Sequence, residues 1–95
     1  MPKGYCIVRV DVHSPEAYAI YAKAASEAIK KHGGKPLARG GAYEAVEGQA
    51  RARNVVIEFD SVEAARNFYY SEDYQRAKKM REYAATVEYV IVEGV

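Results

Sequence analysis

Apolar and polar positions along this chain alternate between two periods, and the switches mark its elements. Residues 5–12 alternate strictly, with Cys6, Val8, Val10 and Val12 on one side and Tyr5, Ile7, Arg9 and Asp11 on the other. That is the period of a strand. The spacing then becomes helical: Tyr18, Tyr21, Ala22, Ala25 and Ile29 form one stripe. Ser14 and Pro15 open this helix, Lys30, Lys31 and His32 crowd its negative end, and Gly33-Gly34 stops it. A second extended segment is expected over 37–46, interrupted by Gly40-Gly41, with 47–53 as a polar hairpin loop. Residues 54–60 read as the clearest strand. Asp60-Ser61 caps a helix whose buried face is Ala64, Ala65, Phe68 and Tyr69. Ser71 breaks it and caps another over 72–83, with Tyr74, Ala77, Met80 and Ala84 inward, before a last strand over 86–93.

The order β-α-β-β-α-β, with the second helix broken, predicts an α+β fold. Right-handed crossovers turn it into a ferredoxin-like, four-stranded antiparallel sheet of spatial order 4-1-3-2 with helices on one face. Ninety-five residues suit a single domain over 1–95. Its strands are apolar on both sides, and a helix-free face of Tyr5, Ile7, Val56, Tyr89 and Ile91 is a larger patch than soluble monomers tolerate. A second copy packed sheet to sheet about a two-fold axis would cover it, so a homodimer is expected.

Composition narrows the function classes. The chain is 49% hydrophobic and 28% charged, with a formal charge of +1. The cations are interspersed with acids, which argues against a nucleic-acid partner. RNA-recognition domains share this element order and stack bases on aromatics of the first and third strands. The third strand here offers only Phe59, in the helix-facing set, and Glu58 beside it would repel phosphate. No apolar run approaches the ~20 residues that cross a bilayer. No basic-then-apolar leader opens the chain, so no membrane partner and a cytoplasmic location are expected. Cys6 is the single cysteine and, on the alternation, a buried thiol. Two histidines and one cysteine without ligand spacing argue against a metal, and no P-loop or GxGxxG suggests a cofactor.

The segments His32-Gly33-Gly34, Arg39-Gly40-Gly41, Val56-Ile57-Glu58-Phe59, Phe68-Tyr69 through Ser71 to Tyr74-Gln75, and Ile91-Val92-Glu93-Gly94 together resemble the bacterial family catalogued as domain of unknown function 1330. The resemblance spans essentially the whole chain. It implies the dimeric α/β-barrel superfamily, in which two ferredoxin-like subunits pack their sheets into a barrel. Its members include cofactor-independent monooxygenases, small isomerases and haem enzymes. The implied site is a pocket between sheet and helices; no reaction is implied.

Within that frame several side chains are candidates. Arg39 beside Gly40 and Gly41 can grip a carboxylate where glycine lets a ligand near the backbone, or it can make a cross-strand ion pair with Glu58. Glu58, between Ile57 and Phe59, is either paired with Arg9 or Arg39 or is a proton-transfer group. His32 either complements the helix end or is a general base at a pocket mouth. His13 reads as a surface residue. Tyr69 and Tyr74, with Arg81 beyond them, would supply hydrogen bonds to a ligand or serve packing. The expected function is binding of a small anionic or aromatic metabolite. Arg39, Gly40, Gly41, Tyr69, Tyr74 and Arg81 would line the pocket and Glu58 and His32 would move protons in a cofactor-independent enzyme of monooxygenase or isomerase type. The alternative is a non-catalytic ligand-binding or sensing homodimer.

Overall fold

The structure is a computed structural model and describes residues 2–95. Its elements run β1 (Gly4–Val12), α1 (Pro15–Lys31), β2 (Lys35–Arg39), β3 (Arg53–Phe59), α2 (Val62–Tyr69), α3 (Glu72–Met80) and β4 (Ala85–Glu93). The strands form one sheet in the order β2-β3-β1-β4, antiparallel at each junction. This is the ferredoxin-like arrangement read from the element order.

Local chemistry sets most boundaries. Pro15 begins α1, although the Ser14 side chain makes no cap hydrogen bond. At the other end Gly33, with φ of 79°, lets the chain turn left-handed. The Gly34 and Gly33 amides then donate to the carbonyls of Ile29 and Lys30 at 2.8 and 3.2 Å, a paired closure that satisfies carbonyls otherwise orphaned at a helix end. Ser61, rather than Asp60, caps α2: its hydroxyl accepts from the Ala64 amide at 3.0 Å. Asp60 instead points to solvent and meets Lys3 at 3.4 Å. Ser71 caps α3 through the Tyr74 amide, as its position between two helical stripes suggests.

Three boundaries depart from the sequence pattern. β2 begins at Lys35 and ends at Arg39 instead of running over 37–46, because Gly40, at φ of 69°, turns the chain off the sheet edge. Helix α3 stops at Met80, not at 83, and Tyr83 takes a left-handed φ of 69° with its ring 92% exposed. Met80, the last residue of α3, is 45% exposed, not inward.

Directly opposed strand residues share a face, so the pairing assigns the two sides of the sheet. Cys6 faces Ile57 and Ile91, and Val8 faces Val55 and Tyr89, all on the helix side. Ile7 faces Val56 and Val90, and Tyr5 faces Glu58 and Val92, on the open side. The expected open patch is therefore corrected at β4: Val90 and Val92 are outside, while Tyr89 and Ile91 pack against the core. A strand apolar on both sides carries no parity signal, and the two registers look alike until its partner fixes one. The open side remains apolar, with Ile7, Val90 and Val92 exposed by 39%, 55% and 42%.

The core between sheet and helices is aromatic. Phe59 stacks on Phe68 with centroids 5.1 Å apart, Phe68 meets Tyr74 at 4.8 Å, and Tyr74 reaches Tyr69, Tyr89 and Tyr21 at 5.3, 6.2 and 6.3 Å. His32 and Asp73 tie the end of α1 to the start of α3 at 3.1 Å. The Ser71 hydroxyl and then His32 hold the Asp73 carboxyl at about 2, below its ordinary 3.8.

Two outcomes follow from these contacts. An L-residue in the left-handed region costs roughly 1–2 kcal/mol that glycine largely avoids. Replacing Tyr83 by Gly is expected to raise stability by about 0.5–1 kcal/mol after the entropy of the unfolded glycine is subtracted, measured as a higher thermal midpoint. A carboxyl with a lowered folded pKa contributes stability above its unfolded value and loses it as pH falls through the folded one. Asp73→Asn should therefore flatten the acid limb of the unfolding curve between pH 3.8 and about 2, and an unchanged limb would show that the pair contributes nothing.

Candidate functional site

The helix layer leaves one cavity in the core, between α1 and the β2–β3–β1 part of the sheet. Its walls include Val8, Ala25, Ile29, Val55, Ile57 and Phe68, together with Ser26, Tyr18, Tyr21, Tyr74 and Tyr89. Arg39 and Arg53 complete the lining. The cavity measures about 50 Å³, enough for a few water-sized groups and far below the ~300–1,000 Å³ of sites that enclose a drug-sized ligand.

The two arginines arrive from opposite directions. Arg39 is the last residue of β2 and pairs with Val55, so it shares the helix side of the sheet and stands exposed at the cavity mouth. Arg53 begins β3 and faces Val10 on the same side. Its guanidinium lies 5.5 Å from the centre of the Tyr18 ring. On its other flank is Gly40, where any Cβ would collide with the Arg53 Nη1. The paired glycines do mark a close approach to the backbone, but the group that approaches is Arg53. Gly41, next along, has no neighbour that a side chain would meet.

Arg53 is the site residue that sequence reasoning missed. It lies at the boundary between a polar loop and a strand, where its direction is undefined until the register is known. The available signal was Gly40, one residue past Arg39.

Behind the cavity, the hydroxyls of Tyr21 and Tyr74 are 2.9 Å apart and buried. Arg81 lies over the Tyr21 ring at 5.3 Å from its centre. Burial pushes both phenols above their ordinary range, first by desolvation, and the Arg81 charge opposes that push without cancelling it. Tyr18 is raised for the same leading reason. All three stay protonated near neutrality and act as hydrogen-bond donors. The Nε atoms of Arg53 and Arg81 are buried without a hydrogen-bond partner. Among the described residues no carboxylate lines this cavity or lies within salt-bridge range of Arg39, Arg53 or Arg81.

The other candidates lie elsewhere. Glu58 is not in the core: it sits on the open side of the sheet, opposite Tyr5, whose hydroxyl donates to it at 3.0 Å. The pairings proposed for it with Arg9 and Arg39 are not made. Arg9 donates to the Gln49 carbonyl at 3.1 Å, and Arg39 is on the other face. Strand parity decides this, since Glu58 alternates with the buried Ile57 and Phe59. His32 caps the end of α1 and bonds Asp73 instead of reaching the cavity. Tyr69 packs on Tyr74 and Tyr89 and borders a shallow surface depression with Arg66, Tyr70 and Ile91. The cavity and its rear wall thus bring together Arg39, Gly40, Tyr74 and Arg81 of the expected group. Glu58, His32, Gly41 and Tyr69 stand apart from it. His13, expected at the surface, bonds the Thr86 hydroxyl at 2.6 Å. No cluster of three or more metal-ligating side chains occurs among the described residues, and no helix is long and apolar enough to cross a membrane.

The fold recurs in solved structures at low identity. A protein of unknown function from Rhodopseudomonas palustris is similar at 20% identity and a TM-score of 0.76, over 99% of this chain and 83% of that one. SnoaB, a cofactor-independent oxygenase from Streptomyces nogalater, is similar at 13% identity and 0.68, over 97% and 92%. A dimeric ferredoxin-like protein of unknown function from Thermobifida fusca is similar at 13% and 0.64, over 97% and 91%. No curated protein matches the chain. A family model matches residues 3–95, and on that match the chain belongs to the family described as Domain of unknown function (DUF1330).

Proposed function

We propose that this chain binds a small organic acid in the cavity between α1 and the sheet, and that it does so as a homodimer in the cytoplasm. One observation carries the binding reading: Arg53, whose buried Nε has no partner, lines a cavity that no carboxylate of the described residues enters. A buried N–H on a half-buried guanidinium is costly to leave without an acceptor, and an anionic oxygen supplies the strongest one. The acid group belongs between Arg53 and Arg39, where two planar forks can share one carboxylate. The carbon skeleton belongs against Val55, Ile57, Ala25 and Ile29. The small volume favours a short acid over a large aromatic metabolite.

Binding is the better-supported half of the reading. The described oxygenase from Streptomyces lends a catalytic version its support, but that version would have to run on arginines and tyrosines. Glu58 and His32 do not border the cavity. The dimer reading is supported by the open sheet face, where Tyr5, Ile7, Val56, Val90 and Val92 lie together, and by the dimeric Thermobifida protein that shares the fold.

Calorimetric titration with butanoate tests the site. A hydrogen bond to a charged group is worth about 1.5–3 kcal/mol, so Arg53→Gln should weaken binding at least roughly tenfold. Glu58→Gln should leave it unchanged. Equal affinity in Arg53→Gln and the unaltered protein would sink the assignment. Sedimentation equilibrium tests the dimer: the chain should run at twice its 10.6 kDa mass. Val90→Arg, which puts a charge in the middle of the open face, should return it to a folded monomer.

A further inference from the structure

The cavity is unusual in what it can exchange with a ligand. No carboxylate lines it: its polar side chains are the hydroxyls of Ser26, Tyr18, Tyr21, Tyr74 and Tyr89, which donate and accept, and two guanidiniums. Arg53 and Arg39 have no acceptor capacity at all. The Tyr21–Tyr74 pair holds two hydroxyl protons, and the bond between the two oxygens uses one of them. Among the described residues the second proton has no hydrogen-bonded protein acceptor, because the neighbour on that side is Arg81, itself only a donor. The buried Arg81 Nε is likewise without a partner. The spare hydroxyl proton of the pair and the Arg81 Nε therefore each lack an acceptor.

A carboxylate held at Arg39 and Arg53 meets the need at the mouth and leaves the one at the tyrosines unmet. A ligand that fills both must carry a second acceptor on its skeleton. It must not carry an ammonium, which would lie beside the Arg39 and Arg53 guanidiniums with no protein carboxylate as counter-ion. Like charges brought together out of water oppose binding strongly. Such a site discriminates sharply between an oxygen and an amine at the same carbon, since the wrong group leaves its own and the protein's hydrogen bonds unmade.

Resting on the acid-binding reading, we infer that the ligand is a short 2-oxo acid, with its acid group on Arg39 and Arg53 and its keto oxygen on the Tyr21–Tyr74 hydroxyls, and that the matching amino acid is turned away. Tyr21 and Tyr74 are specificity residues in this arrangement, and Arg81 is a positioning residue that orients their hydroxyls.

Three four-carbon acids separate the possibilities: butanoate, 2-oxobutanoate and 2-aminobutanoate, titrated calorimetrically into the unaltered protein. One neutral hydrogen bond should make 2-oxobutanoate roughly three- to tenfold tighter than butanoate. 2-Aminobutanoate should bind at least about tenfold more weakly than butanoate. Tyr74→Phe keeps the ring and removes the hydroxyl; it should bring the ratio of 2-oxobutanoate to butanoate affinity down to about one. Tyr21→Phe gives the same test if Tyr74→Phe folds poorly. Equal binding of the oxo and unsubstituted acids, or an amino acid that matches them, overturns this inference while the Arg53-dependent acid site stands. If none of the three acids binds, the acid-binding reading falls, and this inference with it.

Discussion

The stack of Phe59, Phe68 and Tyr74 governs the rest of the structure. It joins β3, α2 and α3 through ring contacts of 5.1 and 4.8 Å, and all three rings are essentially excluded from water. Aromatic side chains bring large buried area and a preferred geometry, so this contact locates the helix layer relative to the sheet. Once Tyr74 is held there, its hydroxyl meets that of Tyr21, which helps set the position of α1. The His32–Asp73 contact pins the far end of the same helix pair. The gap left between α1 and the β2–β3 corner is the cavity. It is a consequence of where the rings stop, since α1 faces the sheet there with Ala22, Ala25 and Ser26.

Charge is distributed with the same economy. Arg51 sits between Asp11 and Glu88, at 2.5 Å from each, and anchors the segment before β3 against the open side of the sheet. Both carboxylates are lowered by it, Glu88 first through that bond and Asp11 first through the Ala52 amide. Two residues later Arg53 emerges on the other side with no acid near it. Arg51 lies before the strand begins, so no alternation ties its direction to that of Arg53, and the two similar side chains have opposite environments. The contrast makes unpaired cations on the helix side a local property of the cavity, since the protein pairs its arginines where carboxylates are within reach.

Much of the fold was legible from pattern alone. The period-two runs of β1 and β3, the helical stripe of α1, the glycine stop at Gly33 and the Ser71 break each rest on chemistry confined to a few neighbouring residues. The element order then leaves few topologies. Features that depend on a partner strand were not legible. The parity of β4 could not be read because Val90 and Val92 look like Tyr89 and Ile91 to any periodic test. The end of β2 was hidden because a left-handed glycine either interrupts a strand or ends it. The site suffered from the same limit. Arg39 was found through the adjacent glycines, and Tyr74 through its helical face. Glu58 was misplaced because its apolar neighbours in sequence suggest burial, whereas in a strand the neighbours in sequence are the residues on the opposite face.

That alternation also constrains how a second copy can sit. The open face is divided along the strands: Tyr5, Ile7, Val56, Val90 and Val92 at one end, and Arg9, Asp11, Arg51 and Glu88 at the other. Glu58 lies at the apolar end with a single neutral donor, the Tyr5 hydroxyl. Covering that end removes water from a carboxylate, which is unfavourable unless its remaining lone pairs find donors. Lys35 is directly opposite Glu58 on the neighbouring strand and exposed, so it is free to turn inward and supply them. An apolar centre with one compensated carboxylate at its margin suits a two-fold interface, where each such group occurs twice and each defect would be doubled. In the proposed dimer Glu58 would serve assembly and Arg53 the proposed ligand, on opposite faces of the sheet.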